Sequence, residues 1–204
     1  RLGQRFEFTP PRKHGYAAVE AIQAMHNEPG KVFFALGGNF ISANPDTDYT
    51  ASALQRCRLT VQVSTKLNRS HLITGQEALI LPCLGRTDID HQAAGEQFIT
   101  TENSQGYVGK SQGFLKPPSR ECRSEPDIIA QLAHHVFGPN DPIPWTVLAG
   151  DYREIRAHIA EVIPGHEAYE ERILNEGGFF LPHPNRERKF PTSNGKAQFT
   201  CASI

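Results

Sequence analysis

Three apolar runs constrain this chain more than any other feature: Val32 to Leu36, Leu59 to Val63 and Ala78 to Leu81 each stop abruptly at a glycine-rich or polar stretch. Those stretches are GGNF at Gly37 to Phe40, STKLNRSH at Ser64 to His71 and PCLGRTD at Pro82 to Asp88. Short, nearly continuous apolar runs suit strands buried on both faces of a parallel sheet, and ligands of open α/β sheets sit beyond the strands' C-terminal ends. The three loops are therefore expected to form one functional edge.

A length of 204 residues accommodates one sizeable core and a small appendage. Lys and Arg number 21 against 22 Asp and Glu, for a formal charge of −1, so the chain as a whole has no electrostatic preference for nucleic acid or an anionic membrane. The apolar runs fall far short of the ~20 residues that span a bilayer, and the opening RLGQRFEF lacks the apolar core of a signal peptide. The expectation is a soluble, cytoplasmic protein with neither nucleic acid nor membrane as partner. Cys57, Cys83, Cys122 and Cys201 form no C-x-x-C pair, which leaves no zinc-knuckle or iron–sulfur motif, and reduced, mostly buried thiols are expected. No H-E-x-x-H occurs among the nine histidines, and His134 and His135 point about 100° apart on a helix.

Phe6 to Lys13 reads as an extended lead-in. Tyr16 to His26 carries Ala18, Val19, Ile22 and Met25 at helical spacing before Pro29-Gly30. Lys31 to Leu36 is a strand; Asp46 caps a helix to Arg56 that packs through Tyr49, Ala53 and Leu54; Arg58 to Ser64 is a second strand. A short helix over Asn68 to Gln76 and a strand over Ala78 to Leu81 complete a β-α-β-α-β series, which calls for a parallel sheet. Gly85 to Arg123 is a long polar excursion containing a hairpin from Gln97 to Val108. Helices are expected over Asp127 to Phe137, Asp151 to Ile163 and His166 to Asn175, the last ended by Gly177-Gly178. Phe179 to Pro191 reads as irregular, and SNGKAQFTC as a turn and a strand without a following partner, which suggests that the chain continues into a larger protein. The fold class is α/β: a doubly wound, mainly parallel, Rossmann-like sheet with a hairpin excursion and a helical C-terminal part.

Gly37-Gly38-Asn39 lets backbone amides approach a phosphate or ring, although a tight turn without ligand would use the same residues. The Ser64 to His71 loop is dense in donors for phosphate or carboxylate, or is simply solvated. Asn68-Arg69-Ser70 matches a glycosylation acceptor, which the missing secretory signal argues against. Gly109-Lys110-Ser111-Gln112-Gly113 matches the G-x-S-x-G nucleophile elbow, so an α/β serine hydrolase using Ser111 is one alternative. Pro117-Pro118 counts against the helix that an elbow requires. In SRECRSEPD, Glu125 or Asp127 caps the next helix or accepts hydrogen bonds from a purine base. The RERK block at Arg186 to Lys189 reads as a solvated patch.

The order ALGGNF, VQVSTKLNRSHLITGQEALILPCLGRTDIDHQ, SRECRSEPDIIAQLA and FPTSNGKAQF resembles the formate-dehydrogenase-like alpha subunits of the molybdopterin oxidoreductases, within the dimethyl sulfoxide reductase superfamily. The resemblance covers nearly the whole chain, and STKLNRSH…ALILPCLGR is its most specific part. It implies an α/β domain holding one guanosine end of bis-molybdopterin guanine dinucleotide, with molybdenum as the redox metal. Carried over by position, Gly37, Gly38 and Asn39 face the dinucleotide; Ser64 and Thr65 meet the guanosine where relatives often carry Asp, a charge Thr65 does not bring. Glu125 takes the ring and exocyclic N–H groups of guanine, with Asp127 as the fallback, and Arg86 and Thr87 are looser matches. The resemblance divides the chain into a lead-in (1–15), a cofactor-binding α/β domain (16–176) and the linker and start of a C-terminal β-domain (177–204). It places the 4Fe-4S cluster and the molybdenum ligand upstream, so the piece is expected to be inactive alone. Its partners are then the remaining domains of the same polypeptide and an electron-transfer subunit. A non-catalytic nucleotide-binding or interaction module is the other alternative.

Overall fold

In the computed structural model, residues 1–201 are described, and they divide into two compact units: residues 1–97 with 112–151, and residues 98–111 with 152 onward. The class is mixed α/β, as the sequence predicts: a parallel three-stranded sheet, additional antiparallel strands, and helices toward the C-terminus.

The first unit opens with a single helical turn, α1 (Leu2–Arg5), followed by α2 (Ala18–Asn27), β1 (Val32–Leu36), α3 (Phe40–Ala43), α4 (Thr47–Gln55), β2 (Leu59–Ser64) and β3 (Glu77–Pro82). The strands lie in the order β1-β2-β3, all parallel, with Phe34 opposite Val61 and Val61 opposite Leu79. Ile22 and Met25 of α2, Ile41 of α3, and Ala53 and Leu54 of α4 form one buried cluster with Cys57, against which Phe33 of β1 packs. The helices before and between β1 and β2 therefore share one sheet face. Asp46 caps α4 as expected, its side chain accepting the Tyr49 N–H at 2.9 Å. Asp46→Ala is expected to cost about 1 kcal/mol in a urea titration, the usual loss of an N-cap.

The connection from β2 to β3 holds only a 3-10 turn, Arg69–Leu72, instead of a helix to Gln76. The cause is steric and polar. Beyond the turn the chain passes directly over Cys57, where a Cβ on Gly75 would stand 2.5 Å from the Cys57 carbonyl oxygen. Gln76 N–H donates to that oxygen at 3.0 Å, and Gly75 N–H donates to Thr60 Oγ1 at 3.2 Å. On the same sheet face Gln62 Nε2 donates to the Ser70 carbonyl at 2.7 Å. The two polar residues inside an otherwise apolar strand thus hold this connection down.

After β3 the chain makes a hairpin not anticipated from its polar composition, β4 (Asp90–Gln92) against β5 (Gly95–Gln97). It later returns to the sheet, where Cys83 forms a parallel bridge with Arg123 and Leu84 N–H donates to the Arg123 carbonyl at 2.9 Å. Helix α5 (Glu125–Phe137) starts two residues earlier than expected, because the Ser124 side chain is its N-cap and Pro126 occupies its first turn. The short helix α6 (Trp145–Gly150) after Pro144 is also absent from the sequence reading; six residues give too little periodicity to detect.

The second unit is an antiparallel sheet in the order β6 (Ile99–Glu102), β7 (Tyr107–Ser111), β8 (Gly178–Phe180), with helices α7 (Tyr152–Val162) and α8 (Tyr169–Glu176). The expected hairpin exists, displaced by two to three residues toward the C-terminus. Val108, Tyr169, Ile173 and Phe179 make its buried cluster. Gly177, at φ +70°, ends α8 in the left-handed region, as foreseen. Phe179 and Phe180, expected to be irregular, form β8. The strand expected in SNGKAQFTC does not form among the described residues: Thr192 to Lys196 make a turn, and Ala197 to Cys201 pair with no strand. The RERK block is exposed, but Arg186 lies 4.0 Å over the Phe180 ring and Lys189 pairs with Glu187 at 2.6 Å.

Candidate functional site

The first two strand-end loops are joined by hydrogen bonds. Gly37 and Gly38, at φ +70° and +82°, turn the chain in a region that L side chains avoid. Across from them, Asn68 Nδ2 donates to the Gly38 carbonyl at 2.9 Å, and Ser70 Oγ donates to Asn39 Oδ1 at 3.2 Å while accepting the Ile41 N–H at 3.1 Å. Asn39 is therefore a structural tether as well as a loop residue, and the Asn68 amide of the glycosylation-like triplet is already engaged. The buried His71 ring meets the Asn68 N–H at Nδ1, 2.9 Å away, and its Nε2 is buried without a partner among the described residues.

The second and third loops also approach one another. Ser64 ends β2 with its hydroxyl donating to the Lys66 carbonyl at 2.8 Å, and the methyl of Thr65 lies 3.9 Å from where a Gly85 Cβ would stand. Arg86 and Thr87 occupy a tight turn closed by the Gly85 N–H on Asp88 Oδ2 at 2.7 Å, both side chains being exposed. The Thr87 carbonyl accepts the Phe114 and Leu115 N–H groups, each at 2.9 Å.

The α5 N-terminus comes to the same edge because the Cys83–Arg123 bridge places Ser124 and Glu125 just beyond a fourth strand position. Glu125 Oε1 lies 3.6 Å from the site of a Gly37 Cβ, so a residue distant in sequence is brought against the GGN turn. Its exposed carboxylate makes no hydrogen bond or ion pair among the described residues. Asp127 sits differently: it accepts a bond from Arg123 at 2.8 Å and one from Gln131 Nε2 at 3.3 Å, and its backbone N–H is taken by the Ser124 cap. The Arg123 guanidinium is held more firmly protonated by this bond and the Asp127 charge. The structure separates the two acidic candidates, leaving Glu125 available to a ligand and Asp127 committed to its own helix.

Asp127 also lines a cleft of about 340 Å³ with Lys116, Arg120, Arg123, His91 and Gln92. The charge count does not mark this cleft; Lys116, Arg120 and Arg123 are close neighbours in sequence, partly within SRECRSEPD, and folding adds His91 and Gln92 of β4 to them. Nearby, burial pushes the Cys83 thiol up, and Glu125, Cys122 and Asp88 add to the shift. A thiol so placed stays protonated and is a poor nucleophile. All four cysteines are free thiols, and no group of three or more His, Cys, Asp or Glu is arranged to hold a metal ion among the described residues. No helix among them is long and apolar enough to cross a membrane.

The G-x-S-x-G match does not form a nucleophile elbow. Ser111 is the last residue of an antiparallel strand, paired with Ile99, and no helix occurs between it and Ser124. The final glycine has another reason to be there: a Cβ on Gly113 would stand 1.9 Å from the Asp88 carbonyl oxygen.

No protein-family model matches the chain. It is 52% identical over 199 residues to proteins from Mycobacterium tuberculosis and Mycobacterium bovis, each named an uncharacterized oxidoreductase, and 97% of the chain is covered. It is 41% identical over 199 residues, 98% of the chain, to the protein YdeP of Escherichia coli. The chain spans about a quarter, 26%, of the length of each of these relatives. The likeness is thus to one segment of much longer proteins, of which the mycobacterial ones carry an oxidoreductase name.

Proposed function

We propose that the chain is the guanosine-holding α/β portion of a molybdenum-dependent oxidoreductase resembling formate dehydrogenase. The observation that carries this reading is the pairing of an unpartnered Glu125 carboxylate with the Gly37-Gly38 turn at the end of a parallel sheet. Guanine presents two adjacent N–H donors, and a carboxylate accepts both; a turn without Cβ atoms lets backbone amides reach the neighbouring ribose and phosphates. The residues fit that end of the cofactor. Glu125 orients the base, Gly37 and Gly38 admit the dinucleotide to close range, Asn39 holds the turn to Ser70, and Ser64 and Thr65 flank the base with neutral hydroxyls. Arg86 and Thr87 add exposed donors beside them.

When bound, bis-molybdopterin guanine dinucleotide would supply two-electron redox chemistry at molybdenum, and the role of this chain is to bind and orient one end of it. The metal ligand, the 4Fe-4S cluster and the contacts to an electron-transfer subunit belong, on this reading, to the remaining domains of the polypeptide. Support comes from the loop geometry, from the oxidoreductase name of the mycobacterial relatives and from the motif resemblance.

The full-length protein, purified and acid-hydrolysed, should release guanine nucleotide in proportion to its molybdenum. Glu125→Ala should retain about tenfold less of it after dialysis, since a hydrogen-bonded charged group contributes ~1.5–3 kcal/mol and 1.4 kcal/mol is a factor of ten. Protein that carries no guanine nucleotide at all would end the reading.

A further inference from the structure

The parallel sheet grows in one direction only, from β1 through β2 and β3 to the bridge at Arg123, and α2, α3 and α4 all pack on the face that carries Phe33. This leaves β1 open in two ways. Phe33 and Ala35 lie in register with Thr60 and Gln62, and the Gly37 N–H donates to the Val63 carbonyl at 2.8 Å. Main-chain direction alternates along a strand, so the N–H and C=O groups of Val32, Phe34 and Leu36 point away from β2, toward an edge that no strand occupies among the described residues. Their side chains fall on the face opposite Phe33, where Val32 is 62%, Phe34 38% and Leu36 46% exposed, with Leu79 of β3 at 50%.

Edge strands in soluble proteins are normally blunted by charge, proline or a bulge, and VFFAL carries none of these. A continuous apolar run in an all-parallel sheet is the composition of a central strand covered on both faces. The relatives are also about four times as long as the matched segment, which comprises 26% of them, so they have ample chain to complete a sheet.

We propose that β1 is an interior strand of a larger sheet, completed by a β-α unit from elsewhere in the same polypeptide. A parallel strand pairs with the free main-chain edge at Val32, Phe34 and Leu36, and its crossover helix covers their side chains together with Leu79. Strand order then reverses at β1, which makes the Gly37-Gly38-Asn39 loop the switch point where open α/β sheets form their ligand crevices. The pairing stands independently of the guanosine reading. A second copy of this chain is a poorer occupant: two-fold pairing of β1 with itself is antiparallel, and it breaks the all-parallel pattern.

The test is residue-resolved hydrogen exchange on the wild-type full-length polypeptide, at two protein concentrations, with hydroxyl-radical footprinting at Phe34. The Phe34 and Leu36 amides should exchange within about tenfold of those of Phe33 and Ala35 at both concentrations, and Phe34 should be oxidised far more slowly than in the heat-unfolded protein. Exchange at Phe34 and Leu36 about 100-fold or more faster than at Phe33 and Ala35 would show a free edge and overturn the proposal. Protection that disappears on dilution would assign the edge to a second copy and overturn it equally. Rapid oxidation of Phe34 despite protected amides would remove the covering helix. Cofactor content does not enter these readouts, so loss of the guanosine reading and loss of this one remain separate results.

Discussion

Replacing Arg156 with Ala is expected to lower the stability of the second unit by about 3 kcal/mol, the low end for breaking a buried ion pair. Arg156 is only 3% exposed, and its guanidinium forks onto both carboxylate oxygens of Glu170, with Nη2 to Oε1 at 3.0 Å. It also donates to the Phe98 carbonyl at 3.3 Å and lies 3.9 Å over the Phe98 ring. Truncation therefore strands a partly buried carboxylate, an acceptor and an aromatic face together. Arg156→Met, which keeps the apolar stem, should recover part of the loss, whereas a lysine should not restore the two-pronged geometry. Urea titration followed by near-ultraviolet circular dichroism measures the difference. A loss below about 1 kcal/mol would mean that the pair behaves as a solvated surface bridge.

Gly113→Ala should be comparably damaging, by about 3 kcal/mol, toward the upper end of the range for overpacking. Its added methyl would meet the Asp88 carbonyl oxygen at 1.9 Å and the Asp88 and Thr87 carbonyl carbons at 2.4 and 2.7 Å. All three are backbone atoms, which cannot rotate away as a flexible side chain can. Gly15→Ala, with nothing within 4 Å of its added methyl, is the control and should change stability by less than ~1 kcal/mol. Equal denaturation midpoints for the two variants would show that the segment before Pro117 is not held against the Thr87–Asp88 turn. The same comparison bears on the G-x-S-x-G match, whose last glycine is explained by packing without any reaction.

The parallel strands were legible because each apolar run ends at its loop, and the α4 cap because Asp46 precedes a clean helical period. What could not be read depends on contacts between distant segments. The β4–β5 hairpin is built from polar residues, α6 is too short to show a period, and β8 exists only because β7 lies beside it. The site divides the same way. Each strand-end loop was visible as a unit, and Glu125 was already preferred to Asp127, but their different neighbours, the GGN turn for one and Arg123 for the other, appear only where the Cys83–Arg123 bridge brings the start of α5 to the sheet. Two residues apart on a helix means roughly 200° of rotation, enough to send one carboxylate to the GGN turn and the other to Arg123. Sequence spacing alone offers no way to tell which is which. The cleft beside Arg123 was half visible: Lys116, Arg120 and Arg123 are close in sequence, but His91 and Gln92 of β4 join them only on folding.

Ser70 makes the first two loops a single moving part. Its hydroxyl bridges Asn39 and the Ile41 amide, and its carbonyl is gripped by Gln62 from within β2. A displacement of the glycine turn must drag the Asn68–His71 turn with it, against an amide anchored in the sheet. An occupant of this edge therefore meets a seat already set, and spends little of its binding energy on ordering it.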